Sequence, residues 1–186
     1  MSAEFADALL FGSGTALLVM LSRKPLRHPR SHGFYRFFAW ETMLSIGVLN
    51  RAAWGQAPGS LHQAIAESLL LGSLVLVLAA LFALHRNGRR SRERADDSLY
   101  DFEKTTQLVT DGVYRYIRHP MYASLLSLNW ACFFQAPSWL GATLGTVATF
   151  FLALTTRADE QECLRYFGSL YGNYMKDTKR FIPLVF

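Results

Sequence analysis

Chemically capable side chains are concentrated at residues 112–122, at the start of an apolar run. The group comprises Tyr114, Arg115, Tyr116, Arg118, His119 and Tyr122. Ionisable groups at the edge of a hydrophobic span cost free energy unless they are paired or face water, so they indicate a functional site. A second group at residues 157–162 contains one arginine and three carboxylates, and it follows the last apolar run. The two groups together predict one site built from two helix ends.

The elements that must position these groups are five apolar runs, in a chain with 51% hydrophobic and 18% charged residues. The runs cover residues 5–21, 37–49, 61–84, 121–135 and 139–155. A membrane span needs about 20 mainly apolar residues, which the first, third and fifth runs approach or exceed. The second run needs interfacial flanks, and the fourth must begin near His119 or else form a re-entrant segment. The pattern predicts an all-α integral membrane bundle of about five transmembrane helices.

The positions of the basic residues predict the orientation of this bundle. In a five-span arrangement, 18 of the 19 lysines and arginines fall on one side, and only Arg51 falls on the other. The positive-inside rule makes the basic side cytoplasmic, which predicts an external N-terminus and a cytoplasmic C-terminus and site, in a bacterial inner membrane. The net charge of +5 is therefore interpreted as a topology signal, and no nucleic-acid partner is expected.

The chain is predicted to be a single membrane domain over residues 1–186. Three spans occupy residues 1–84, and residues 85–186 carry the site, beginning with a solvated loop at 87–97. Residues 158–176 predict a cytoplasmic amphipathic helix, because apolar side chains recur there every three or four positions. The last residues, 180–186, are too short to span the membrane and are expected to fold back on the bundle.

Other polar residues in or near the apolar runs have simpler interpretations. Glu41, Glu67 and Asn129 are expected to make hydrogen bonds between helices. Neither Cys132 nor Cys163 has a second cysteine or a histidine at zinc-ligand spacing, so no metal site is predicted.

The motifs of the C-terminal half resemble a known superfamily. Residues 108–114 read Leu-Val-Thr-Asp-Gly-Val-Tyr, residues 118–122 read Arg-His-Pro-Met-Tyr, and acidic residues precede Phe167, Gly168 and Tyr171. This pattern is similar to that of the isoprenylcysteine carboxyl methyltransferase and phospholipid methyltransferase superfamily. The resemblance covers residues 102–183 and implies an integral membrane methyltransferase that uses S-adenosylmethionine, bound at the cytoplasmic face. It also implies membrane lipids as partners and a lipophilic acceptor that enters from the bilayer.

Several residues occupy the positions of the family's cofactor-binding residues. They are Leu108, Val109, Tyr114, His119, Pro120, Met121, Tyr122, Asp159 and Glu160. Asp159 is one methylene shorter than the glutamate of the family pattern, so the main cofactor contact could come from Asp159, Glu160 or Glu162. The candidate catalytic residues are Arg118, His119, Arg157 and Glu162.

The chemistry of S-adenosylmethionine fits these residue types. Its ammonium and sulfonium need a carboxylate, its carboxylate needs a cationic or N–H donor, and its adenine needs an aromatic surface. The acidic group, the basic residues and the tyrosines could supply these contacts, with cation–π contributions of about 0.5–2 kcal/mol each. Arg157 could orient a carboxylate acceptor, whereas an amine acceptor would need a base, for which His119, Asp159 and Glu160 are the candidates.

Other interpretations remain open from the sequence. His119 could cap a helix, and the acidic group could be the favourable first-turn charge of another helix. The arginines and tyrosines could only anchor the spans at the interface. A membrane reductase that binds NADPH, of sterol-reductase-like type, and a non-catalytic scaffold or carrier are the alternative functions. Three nearby carboxylates disfavour the pyrophosphate of a nicotinamide cofactor.

Overall fold

The fold consists of helices. The computed structural model describes residues 2–88 and 107–182. Six α-helices span α1 (Ala3–Leu21), α2 (His32–Leu49), α3 (Leu61–Asn87), α4 (Pro120–Gln135), α5 (Trp139–Phe167) and α6 (Ser169–Asp177). No β-strand occurs in these two ranges, where one isolated bridge pairs Ile117 with Lys179. The all-α prediction is confirmed for the described residues.

Serine side chains define where four of the helices begin. Ser31, Ser60 and Ser138 each accept a hydrogen bond from the backbone N–H three residues later, and Ser2 does the same for α1. Such caps satisfy N–H groups that have no partner inside the helix. The fourth helix instead begins with Pro120, whose missing N–H costs nothing in the first turn. The caps and the proline place the helix starts close to the predicted starts of the apolar runs.

The helices pack in two main pairs, α2 with α5 and α3 with α4, and α1 packs on the outside of α2. Two interhelical hydrogen bonds use residues predicted for this role. Thr15 donates to Glu41 at 3.0 Å, and the Asn129 amide donates to the Gly145 carbonyl at 3.0 Å. The α1 helix has no buried residue, as expected for a helix that faces lipid on most of its surface.

Among the described residues, three helices are long and apolar enough to cross a membrane, namely α1, α3 and α5. The 16 residues of α4 rise only about 24 Å at 1.5 Å per residue, less than the ~30 Å hydrocarbon core. The α2 helix has 18 residues and includes Arg36 and Glu41. The prediction of five spans is therefore not confirmed beyond these three helices.

The predicted helix boundaries near the C-terminus were wrong. The expected helix over 158–176 is divided, because α5 runs on without a break to Phe167 and α6 begins at Ser169. Gly168 separates them with a φ of +58°, a conformation that costs glycine little because it has no Cβ. The acidic group at 159–162 consequently lies inside α5, which excludes the first-turn interpretation of its charge.

The chain folds back after α6. Residues 178–182, called here the C-terminal strap, run beside residues 116–119. Backbone hydrogen bonds join Arg118 N–H to Lys179 O at 2.7 Å, His119 N–H to Arg180 O at 3.1 Å and Lys179 N–H to Tyr116 O at 3.2 Å. The predicted fold-back is confirmed up to residue 182. Residues 183–186 and most of the predicted loop at 87–97 lie outside the described residues, and the division of the domain after residue 84 stays a prediction.

Candidate active site

A cavity lies where α4, α5 and α6 meet the segment that begins at residue 107. Its lining residues come from both predicted groups and from α3 and α6. They are Leu84, Leu108, Val109, Tyr114, Arg118, His119, Pro120, Met121, Tyr122, Asp159, Cys163, Phe167, Tyr171 and Tyr174. The cavity has a volume of ≈ 120 Å³. The sequence prediction that the two polar groups form one site therefore agrees with this geometry.

Asp159 is the carboxylate that faces the cavity. Its side chain is 19% exposed, and its Oδ2 lies 3.5 Å from His119 Nδ1. Its other oxygen, Oδ1, lies 3.6 Å from Cys163 Sγ. The negative charge of Asp159 is thus held beside a buried imidazole and remains open to a cationic ligand.

His119 lies between two carboxylates. Its Nδ1 faces Asp159, and its Nε2 lies 3.5 Å from Glu160 Oε1. Burial lowers the pKa of His119, but the Asp159 and Glu160 carboxylates outweigh this effect and raise the pKa above its ordinary value. The side chain makes no capping hydrogen bond to α4, although His119 occupies the N-cap position. The helix-capping interpretation of this side chain is therefore wrong.

Glu160 does not line the cavity, in contrast to the prediction that it is a cofactor contact. Its carboxylate is buried between two arginines. Arg118 Nη2 lies 3.0 Å from Oε1, and Arg180 Nη2 donates to Oε2 at 2.7 Å. The reason is helical geometry: consecutive residues on α5 point about 100° apart, so Asp159 and Glu160 face different partners.

Arg118 connects this buried carboxylate to the C-terminal strap. Its Nη1 donates to the carbonyl oxygen of Met175 at 3.2 Å and to that of Thr178. Its Nε donates to Glu160 Oε1 at 3.1 Å, so the guanidinium joins α5, the end of α6 and the strap. Arg118 also lines the cavity, so this one side chain both connects these elements and contributes positive charge to the site.

Aromatic side chains form much of the cavity wall. They are Tyr114, Tyr122, Phe167, Tyr171 and Tyr174. The Tyr174 hydroxyl donates to the Tyr114 carbonyl at 2.6 Å, which ties α6 to the segment before α4. Burial raises the pKa of Tyr171 and of Tyr174, so both phenols are neutral and present flat uncharged surfaces. Such surfaces suit stacking with a planar ring or contact with a cation.

Two predicted catalytic residues lie away from the cavity. Arg157 is exposed on α5, because it points about 160° away from the cavity-lining Asp159, two residues on. Glu162 faces α2, where its Oε2 lies 2.5 Å from Nδ1 of the fully buried His32. Neither residue lines the cavity, so their assignment as catalytic residues has no support from its geometry.

The sequence does not reveal the role of some residues at the site. The sequence indicates Tyr171 only as a motif residue on an apolar helical face, Tyr174 only as part of that face, and Cys163 only as an unsuitable metal ligand. The sequence indicates Arg180 only as one of the basic residues that set the orientation, and it gives no functional indication for His32. The sequence signal for His32 was weak, since it is separated from Glu162 by 130 positions and stands among other basic residues.

A more open groove adjoins the cavity. It shares Leu108 and Tyr174 with the cavity, has a volume of ≈ 520 Å³ and includes the charged residues Arg115 and Asp177. A ligand larger than the cavity would extend into this groove, which offers both signs of charge. In residues 2–88 and 107–182, no three histidine, cysteine, aspartate or glutamate side chains are arranged to hold a metal ion.

Comparisons with known proteins agree with this geometry. A family model described as phospholipid methyltransferase matches residues 61–174, a range that includes every residue lining the cavity. Methanethiol S-methyltransferase from Pseudomonas deceptionensis is 26% identical over 129 residues, which are 69% of this chain and 48% of that protein. The chain thus spans about half the length of this curated relative. No solved structure matches this chain significantly.

Proposed function

Because the chain belongs to the phospholipid methyltransferase family, we propose that it is a membrane enzyme that transfers a methyl group from S-adenosylmethionine to a small or lipophilic acceptor. The observation that carries this proposal is the aromatic cavity with one accessible carboxylate, Asp159. Every residue of this cavity lies in the part of the chain that matches the family.

The donor set of the cavity fits this cofactor. Asp159 offers a carboxylate for the ammonium or the sulfonium of the cofactor. Tyr122, Tyr171 and Tyr174 offer neutral stacking surfaces for adenine. The adjoining groove gives room for the part of the cofactor that the cavity cannot contain.

Bound S-adenosylmethionine would supply an electrophilic methyl group on a positively charged sulfur. The protein's task is then to align the acceptor and exclude water, and positioning alone can contribute about 7–11 kcal/mol to lowering a barrier. The buried wall formed by Tyr171, Tyr174 and Tyr122 excludes water from the reacting atoms. His119, whose pKa the Asp159 and Glu160 carboxylates raise, is suited to fix Asp159 in place.

The chemical class of the acceptor is part of this proposal. A small thiol is the first candidate, since the relative's name specifies methanethiol and no protein group of opposite charge is needed to bind an uncharged thiol. Lipophilic acceptors, including a prenylated carboxylate as in isoprenylcysteine carboxyl methyltransferases, and amine headgroups are the further candidates. The exposed apolar surfaces of α1 and α3 are consistent with acceptor entry from a bilayer.

The membrane arrangement is proposed from the same observations. We infer that α2 and α4 also cross the membrane beside the three long apolar helices, packed within the bundle, and that α6 lies at the interface. The basic side of the bundle carries the cavity, which makes the cavity cytoplasmic by the positive-inside rule. The N-terminus would then be external.

A nicotinamide-dependent reductase is disfavoured by the charges at the cavity. A pyrophosphate needs free N–H donors or unpaired cations, but Arg118 and His119 are both paired with carboxylates. The one accessible charge of the α5 acidic group, Asp159, would repel a phosphate.

The test is calorimetric titration of detergent-purified protein with S-adenosylmethionine, S-adenosylhomocysteine and NADPH. We expect micromolar binding of both sulfur nucleosides and weaker or no binding of NADPH. Asp159→Asn should weaken the binding of S-adenosylmethionine about 10–100-fold, as removal of a charged hydrogen-bond partner does. The matched control is Glu67→Gln, which removes an exposed carboxylate from α3. Binding of NADPH alone would establish a reductase, and binding of none would favour the scaffold or carrier.

Alkylation of Cys163 gives an independent measure of where the ligand binds. This thiol lines the cavity beside Asp159, whereas Cys132 is buried in α4. Bound S-adenosylhomocysteine should slow the reaction of Cys163 with N-ethylmaleimide, and Cys163→Ser should remove the protected signal. Unchanged labelling with saturating ligand would show that the nucleoside binds elsewhere.

A further inference from the structure

We propose that His32 is a positioning residue of the cofactor cavity: it clamps Glu162 and thereby fixes the turn of α5 that carries Asp159. The inference rests on the proposed function of that cavity. His32 lies outside the region that matches the family, and it does not line the cavity itself.

The first observation is a two-point contact between α2 and α5. The backbone N–H of His32 donates to Glu162 Oε1 at 3.0 Å, and its Nδ1 lies 2.5 Å from Glu162 Oε2. His32 is the first residue of α2 and is fully buried. Glu162 therefore accepts a hydrogen bond from the free N-terminal N–H of α2 with one carboxylate oxygen and contacts the imidazole with the other.

The second observation is the spacing along α5. Glu162 and Asp159 are three residues apart, so they lie on neighbouring turns of one helix. A fixed Glu162 therefore limits the rotation that α5 can make at Asp159. On the other side, His119 contacts Asp159 at 3.5 Å. His32 contacts Glu162 rather than Asp159, but it is close enough to interact electrostatically with Asp159.

The third observation is an unsatisfied atom. Within the described residues, His32 Nε2 is buried and has no hydrogen-bond partner. A buried polar atom without a partner costs about 1–3 kcal/mol, and such exceptions call for a functional explanation. The third observation therefore supports a role at the site.

The experiment measures S-adenosylhomocysteine affinity for a set of full-length variants in detergent. His32→Ala removes the clamp, whereas His32→Asn retains a side-chain N–H that can reach Glu162. We expect His32→Ala to weaken binding about fivefold or more, in the range of coupled neighbouring sites, and His32→Asn to restore most of the affinity. Glu162→Gln is a second way to weaken the clamp if His32→Ala does not fold.

A double-mutant cycle tests whether the effect passes through Asp159. In the Asp159→Asn background, His32→Ala should cause little further loss, because the group it positions has already lost its charge. The control is Gln63→Ala at the opposite end of the bundle, which should lower the unfolding temperature without changing affinity. Equal losses in both backgrounds, or a His32→Ala variant that behaves like Gln63→Ala, would overturn the inference. If the wild-type protein binds no sulfur nucleoside, the proposed function itself fails, whatever the variants do.

Discussion

The two ends of the helical bundle join their helices with different chemistry. The ionic cluster, at the end with the cavity, consists of His32, Arg118, His119, Asp159, Glu160, Glu162 and Arg180. The amide cluster, at the other end, consists of Asn50, His62, Gln63 and Gln135. In the amide cluster, Gln63 Nε2 donates to Gln135 Oε1 at 2.6 Å and Asn50 Nδ2 donates to the Cys132 carbonyl at 2.8 Å.

This difference indicates that the amide cluster serves folding, whereas the ionic cluster serves the chemistry of the site. Asn50, Gln63 and Gln135 are as buried as Glu160, yet they tie α2, α3 and α4 together without any net charge. Burying charges costs far more than burying amides, so helix packing alone does not explain the ionic cluster. The cluster is explained if a charged ligand binds there and if the charges around Asp159 must be fixed in advance.

The largest effect is expected when the ionic cluster loses its central charge. Glu160→Gln leaves the Arg118 guanidinium, with a side chain only 9% exposed, without its anionic partner. Removing one member of a buried ion pair costs about 3–5 kcal/mol. Denaturant unfolding in mixed micelles should show this loss of unfolding free energy. The control variant Gln161→Ala, at the exposed position next to Glu160 on α5, should lose little stability. A loss no larger than that of the control would mean that the pair contributes nothing to folding.

A smaller effect is expected in the amide cluster. Gln63→Leu leaves the Gln135 amide buried without its partner, which should cost about 1–3 kcal/mol. Gln63→Leu combined with Gln135→Leu removes both polar groups and should recover most of that loss. The same unfolding measurement checks this expectation. A double variant that is less stable than either single variant would show that the amide cluster is not merely structural, and the contrast between the two ends would fail.

The ionic cluster should also make stability depend on pH through His119. Its pKa in the folded protein is raised above the ordinary 6.5, so its stabilising contribution is complete below that value. The contribution is lost as the pH rises through the folded-state pKa. As the pH rises above about 6.5, the ordinary histidine value, the unfolding temperature should fall more steeply for wild type than for His119→Asn. Parallel curves for the two proteins would contradict this linkage.

Much of the fold could be predicted because it depends on local signals. Serine caps, Pro120 and the lengths of the apolar runs determine where most helices begin. The motif residues of the cavity could be predicted from their spacing within one segment. The different contacts of the acidic residues within 159–162 could not be predicted, because they depend on which helix faces each side of α5. The partners of Glu160 and Glu162 are Arg180 and His32, and only the packed fold brings them together.

The smallest effect is expected at Arg157, which the sequence offered as a residue to orient a carboxylate acceptor. Its side chain is exposed and outside the cavity, and exposed substitutions change stability by only about 0.5 kcal/mol. Arg157→Ala should therefore leave both the unfolding temperature and the S-adenosylhomocysteine affinity unchanged. If methyl transfer to a carboxylate acceptor were lost while nucleoside binding remained, Arg157 would contact the acceptor from outside the cavity. That result would extend the functional end of the bundle beyond the ionic cluster and favour a carboxylate over a thiol as the acceptor.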